Sequence, residues 1–113
     1  MHITEHIHDG VWILKVSGRF NFYSRKTFQA VMRNAERGST DHVIIDLSQV
    51  DFVDSVGIGL LALAQARLAL QGMVMSLVGP RPAVKNILDV ANIPKLIPIY
   101  KTEAEAIGLP VSA

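Results

Sequence analysis

Two short apolar runs constrain this chain more than any other feature. His42-Val43-Ile44-Ile45-Asp46-Leu47 and Met73-Val74-Met75-Ser76-Leu77-Val78 are nearly continuous in hydrophobicity. A strand wetted on one face alternates, whereas runs of this length and character belong to strands covered on both faces. Such strands pair in parallel, and a parallel pair needs a long crossover between them, usually a helix. The intervening chain supplies one, a helix expected from Ser55 to Gln71 and stopped at Gly72.

The other elements arrange themselves around that unit. Ile3, Glu5 and Ile7 alternate with His2, His6 and His8, as in an exposed strand. Asp9-Gly10 signals a two-residue hairpin turn, and Val11 to Val16 reads as the partner strand, ended by Gly18. Tyr23, Phe28, Val31, Met32 and Ala35 recur at three- and four-residue spacing, which predicts a helix from Tyr23 to Glu36. Ser24 is its expected N-cap and Gly38 its expected stop. Gly79-Pro80-Arg81-Pro82 breaks the chain before a third helix, Ala83 to Ala91. Leu96 to Tyr100 reads as an edge strand, the position that tolerates Pro98. Thr102 is placed to cap a last short helix whose first turn holds Glu103 and Glu105. The order ββαβαβαβα implies an α/β fold with a mixed sheet of about five strands and about four helices. The first strand is expected antiparallel and the rest parallel. A length of 113 residues predicts one domain, 1–113.

Charge and composition exclude several functions. Eleven basic against ten acidic residues leave a net charge of +1, too little for a protein that works by neutralising phosphates, so no nucleic-acid partner is expected. The absence of cysteine removes disulfides and thiolate metal sites. The N-terminus lacks the basic-then-apolar order of a signal peptide, and Gln65 and Arg67 interrupt the least polar stretch, Val56 to Leu70. The expectation is a soluble, cytoplasmic protein with no membrane partner.

The chemistry concentrates in Asp51-Phe52-Val53-Asp54-Ser55-Val56-Gly57-Ile58-Gly59-Leu60-Leu61. This stretch joins a buried strand to a helix, at the strand end where open α/β sheets place their sites. Ser55 stands at the helix start, where backbone N–H groups lack partners and the dipole favours negative charge. A phosphoryl group on its hydroxyl would be tolerated there. Gly57 and Gly59 remove side chains nearby, so another protein could approach closely. The structural alternative makes Ser55 a helix cap and the glycines relief from crowding. Leu60, Leu61, Leu63, Ala64, Leu68 and Ala69 form the expected packed face of this helix.

Other constellations are weaker. Gly57-x-Gly59-x-x-Ala62 matches a dinucleotide fingerprint formally, but stands well past the expected end of the strand and lacks the acidic residue about twenty positions on. Val53-x-Ser55-x-Gly57 lacks the first glycine of a hydrolase elbow, and His42 begins its strand at the opposite end. His6 and His8 share a strand face with His2, but no third ligand is evident, so no metal site is expected. Trp12 and Phe52 read as core or near-core aromatics. Phe20 and Phe22 flank Asn21 beside the proposed site, one of them expected to pack inward.

Asp54-Ser55-Val56-Gly57-Ile58-Gly59 resembles the aspartate-serine-(serine or threonine)-glycine-leucine-glycine motif of STAS domains, the sulphate transporter and anti-sigma factor antagonist family. Ser17-Gly18-Arg19-Phe20-Asn21, Val43 to Leu47, and Pro82 to Asp89 with Ile93 fit the same pattern more loosely. Arg19 and Asn21 replace acids usual in the family, and Val56 stands where a second hydroxyl is common. The resemblance implies a non-enzymatic phosphorylation switch that needs no cofactor. Its unmodified form binds an anti-sigma factor that is also a serine kinase with a histidine-kinase-like ATPase fold, and a sigma factor is freed. Phosphorylation of Ser55 ends binding, and a PP2C-type phosphatase restores it. The neighbours expected to meet the partner are Asn21, Phe22, Ser24, Asp54, Val56, Gly57, Ile58 and Gly59. A constitutive STAS adaptor in a signalling or transport complex, with Ser55 only a cap, is the alternative.

Overall fold

The computed structural model describes residues 1–38 and 40–108; residues 39 and 109–113, part of the expected single domain, lie outside the described residues. Strands β1 (His2–His8), β2 (Val11–Phe20), β3 (His42–Val53), β4 (Val74–Val78) and β5 (Ile99–Tyr100) form one sheet in sequence order. β1 pairs antiparallel to β2, and every other pair is parallel. Helices α1 (Arg25–Arg37), α2 (Ser55–Leu70), α3 (Pro82–Val90) and α4 (Glu103–Ile107) complete it. The expected α/β architecture and element order are those observed.

Sheet alternation divides the apolar residues between two faces. Leu14, Val16, Val43, Ile45 and Leu77 join Phe28, Leu61 and Leu88 in the main core beneath α1, α2 and α3. Val11, Ile13, Ile44 and Val78 point the other way, where Ala106 and Ile107 of α4 cover them. This two-sided burial explains the continuous apolar runs of β3 and β4.

Several boundaries differ from the expectation. Asp9 and Gly10 take φ of 49° and 77°, as the hairpin turn requires. Gly18 does not end β2; at φ 92° it sits where the register to β3 shifts, and the strand continues to Phe20. β3 likewise runs past Leu47 to Val53, because pairing with the bulged end of β2 carries it through the polar Ser48, Gln49 and Asp51. α1 begins later than its apolar spacing suggests. Asn21 instead caps a 3₁₀ turn over Phe22–Ser24, and Ser24 makes no side-chain cap to α1. Gly38 follows α1 in extended backbone, not left-handed; a Cβ there would stand 2.7 Å from the Trp12 ring, so close packing is what requires glycine. α2 closes through Gly72 at φ 74°, whose N–H bonds Ala69, while Met73 N–H reaches Leu68. α3 starts at Pro82, and only Ile99–Tyr100 of the expected last strand is extended. Thr102 caps α4 by accepting from Glu105 N–H, as expected. Leu63 and Ala69 lie on the exposed side of α2, outside the packed face expected of them. Phe52 is 40% exposed rather than in the core, while Trp12 packs against the core edge.

One close approach seats α2 on the sheet. Gly57 is buried, and a Cβ on it would lie 2.4 Å from the Phe20 carbonyl oxygen and 2.9 Å from its ring. A backbone oxygen cannot give way as a flexible side chain can. Gly59 faces open space, with nothing within 4 Å of a Cβ.

Gly57→Ala is therefore expected to lower stability by about 1–3 kcal/mol through overpacking, despite the better helix propensity of alanine. Gly59→Ala should raise it by about 0.5–1 kcal/mol. Urea unfolding of both variants tests this; equal effects would contradict the close contact. A second expectation concerns His42, whose Nε2 lies 2.8 Å from the hydroxyl of the buried Ser76. Burial lowers its pKa, so the folded state resists protonation. The stability it lends is whole above the unfolded value, about 6.5, and falls as the pH drops from there through the folded value. The melting temperature of the wild type should thus drop more than that of His42→Gln between about pH 7.5 and about pH 5.5.

Candidate functional site

The site forms where the end of β2 meets the start of α2. Asp54 N–H donates to the Phe20 carbonyl at 3.3 Å, tying the two segments directly. Asp54 adopts extended backbone, φ −109° and ψ −172°, and its carboxylate accepts from Gly57 N–H at 3.0 Å. Asp54 is therefore the N-cap, and Ser55 is the first residue of the helix. The reading of Ser55 as the cap is corrected: of two adjacent residues that both cap well, the one with extended backbone holds the position.

With the cap supplied by its neighbour, the Ser55 side chain stands exposed. Ile58 N–H bonds the Asp54 carbonyl, and Gly57 N–H is taken by the Asp54 carboxylate. The N–H groups of Ser55 and Val56 precede the first intrahelical bond and remain as donors for an anion. The two glycines, alike in sequence, do different work. Gly57 lets the helix approach Phe20, and Gly59 alone leaves the surface open.

The loop after β2 forms the other wall. Asn21 N–H donates to Ser24 Oγ at 2.8 Å, Ser24 Oγ donates to the Asn21 carbonyl at 2.8 Å, and the Asn21 carboxamide oxygen accepts from Tyr23 N–H at 3.0 Å. Ser24 is 4% exposed, so it shapes the turn and offers no contact surface. Its expected place among the partner-facing residues is corrected on that ground. Phe22 and Tyr23 project outward, 49% and 88% exposed, with the Arg25 guanidinium 4.1 Å from the Phe22 ring centre. Phe20 packs inward in contact with Phe28, ring centres 4.7 Å apart. Arg19 lies on the sheet's opposite face from Phe20, its guanidinium 5.2 Å from the Phe52 ring.

Beside Ser55 runs a groove of about 470 Å³ between the start of α2 and α3. Val53, Asp54, Ser55 and Ile58 line one side, and Asn86, Ile87, Val90 and Ala91 the other. Val56 and Ile58 are half-buried against the core. Sequence alone does not single out the α3 residues. Their one signal is Val90, an apolar residue off the inward stripe of Val84 and Leu88 and 77% exposed.

Competing chemistries fail on geometry. β3 ends at Val53, nearer to Gly57 than the apolar run suggests, yet the space a dinucleotide fingerprint would leave at this glycine holds Phe20. His42 starts β3, at the far end from Ser55, and bonds Ser76. His8 lies 3.3 Å from Asp9, and among the described residues no group of three side chains could hold a metal. Among the same residues no helix is long and apolar enough to cross a membrane.

Comparison with known proteins fits this geometry. Residues 2–106 match the family model of the STAS domain. An anti-sigma F factor antagonist of Paenibacillus polymyxa is 29% identical over 101 residues, covering 88% of this chain and 86% of its own. The crystal structure of an anti-sigma factor antagonist from Mycobacterium paratuberculosis superposes with a TM-score of 0.86 at 26% identity, covering 95% of this chain and 91% of its own. The Bacillus cell fate determinant SpoIIAA, solved in its phosphorylated form, has the same fold at 18% identity, with a TM-score of 0.72 and coverage of 95% and 97%. A strand-to-helix junction carrying Asp54-Ser55 on a five-stranded mixed sheet, matched along nearly the whole chain, makes this protein a member of the STAS domain family.

Proposed function

We propose that this STAS protein is a cytoplasmic anti-sigma factor antagonist switched by phosphorylation of Ser55. In this reading the unmodified chain docks on an anti-sigma factor that is also a serine kinase, and a sigma factor is released. The kinase then transfers the γ-phosphoryl group of ATP to Ser55. The Oγ–phosphorus bond forms as the bond to ADP breaks, and the hydroxyl proton passes to a base on the kinase. A PP2C-type phosphatase hydrolyses the ester and resets the chain.

The observation that carries this reading is the division of labour between Asp54 and Ser55. Because Asp54 caps α2, the Ser55 hydroxyl is exposed and can be modified without uncapping the helix. The resulting phosphate would carry nearly two negative charges immediately beside the Asp54 carboxylate. It would also stand at the lip of the groove of Ile58, Ile87 and Val90. An apolar partner surface seated there would lose its fit to a hydrated dianion. The proposed contact residues are Asn21, Phe22, Val56, Ile58 and Gly59 around the hydroxyl, with Asp54 and Gly57 fixing its position. Phe22 and Tyr23, exposed aromatics braced by Arg25, have the composition of binding anchors.

The test pairs the purified chain with a candidate anti-sigma factor kinase from the same organism. Intact-mass analysis after addition of ATP should show one phosphate, mapped to Ser55 and absent from Ser55→Ala. Ser55→Asp should weaken kinase binding by roughly tenfold or more. Phosphate on another residue would contradict the proposal. Unchanged binding of Ser55→Asp would favour the constitutive adaptor.

A further inference from the structure

A second concavity lies away from Ser55, between α1 and α2. It has a volume of about 150 Å³, and Phe28, Met32 and Leu60 form its apolar floor. A space of this volume is about that of a benzene ring, though here it is open on one side and its lining is as polar as it is apolar. Its rim is polar and unevenly charged. Arg67 donates to Glu36 through Nε at 2.6 Å and Nη2 at 3.2 Å, joining the two helices across the crevice. This bidentate pair holds the Glu36 carboxyl below the usual carboxylate range, so the site contains a fixed negative charge that is already answered. Arg33 also lines the crevice and has no hydrogen-bonded or ion-paired acid among the described residues. Gln29 stands one helical turn away from it, on the same wall.

We propose that this crevice binds a small organic monocarboxylate with a compact apolar body, aromatic or branched. The body would rest on Phe28, Met32 and Leu60, and the carboxylate would meet the fork of Arg33, with the Gln29 amide as a second donor. The planar guanidinium suits a carboxylate because two parallel hydrogen bonds can form. Arg33 and Arg37 add to the field of Arg67 at Glu36, so the rim carries more positive than negative charge and attracts an anion. The apolar floor favours a ligand with a ring or branch over a bare ion. Arg33 is exposed, so its replacement removes the recognition group without disturbing the core.

Benzoate is a suitable probe, followed by amide chemical shifts at neutral pH. Saturable changes confined to residues 28–36 and 60–67 are expected, with a Kd of about 1 mM for so small a ligand. Arg33→Gln should raise that Kd roughly tenfold while Arg33→Lys raises it less, and benzyl alcohol should bind more weakly than benzoate. Inorganic phosphate should leave these residues unmoved. No change with benzoate up to about 20 mM, at which a millimolar site would be nearly full, would overturn the proposal. So would benzyl alcohol or phosphate matching benzoate, or an Arg33→Gln protein that binds as the wild type does. Ser55 does not line the crevice, and its phosphorylation does not enter the result.

Discussion

The site depends on how closely α2 can approach the end of β2. The first turn of that helix rests on the Phe20 carbonyl, and only a glycine at position 57 leaves room for it. The same approach lets Asp54 N–H bond the Phe20 carbonyl and turns the Asp54 carboxylate onto Gly57 N–H. With both bonds made, the helix start is fixed in place and Ser55 is carried outward on it. A side chain at residue 57 would lift the helix, lengthen both bonds and move the hydroxyl. Packing, capping and exposure at this junction are thus one arrangement, traceable to a missing methyl group.

The surface chemistry derives from that geometry. Asp54 occupies one helix-terminal donor and supplies one negative charge, so the junction is partly filled as an anion site before any modification. A phosphoryl group on the next residue would find donors in the first turn but also a carboxylate at its side. Attraction to the helix end would hold a modified chain folded, while repulsion and hydration would act outward on anything docked in the adjoining groove. A switch of this design changes its surface while leaving its core unchanged. Arg19 and Arg25, each over an exposed aromatic ring, make the flanking surfaces basic and aromatic. Arg19 and Asn21 stand where the STAS pattern usually has acids, so this surface is less acidic than that pattern implies.

Most of the fold was legible because its signals are local. The continuous apolar runs of β3 and β4, the Asp9-Gly10 turn and the breaks at Gly72 and Pro82 all act within a few residues. The parts that were not legible depend on partners distant in sequence. β3 reaches Val53 because the bulged end of β2 pairs with it, not because Ser48, Gln49 or Asp51 favour a strand. Gly38 reads as a helix stop, yet its role is to clear the Trp12 ring. Ser55 is marked as a candidate by its motif and its place at a helix start. Which of Asp54 and Ser55 caps the helix was not legible, since both residue types do so and only the backbone angles separate them. Gly57 and Gly59 are the same letter two positions apart, and nothing in sequence distinguishes the buried one from the exposed one.

A switch at this junction requires that Ser55 carry a phosphoryl group while the Asp54 cap and the Gly57 contact stay intact. The most direct test is to incorporate phosphoserine at position 55 during synthesis and compare amide chemical shifts and thermal unfolding with the unmodified chain. Shift changes should be confined to the β2–α1 turn and the first turn of α2, with a melting temperature within about 3 °C of the original. Changes spreading through β4 and α4, or loss of the folded spectrum, would show that the hydroxyl is part of the structure and would contradict a surface switch.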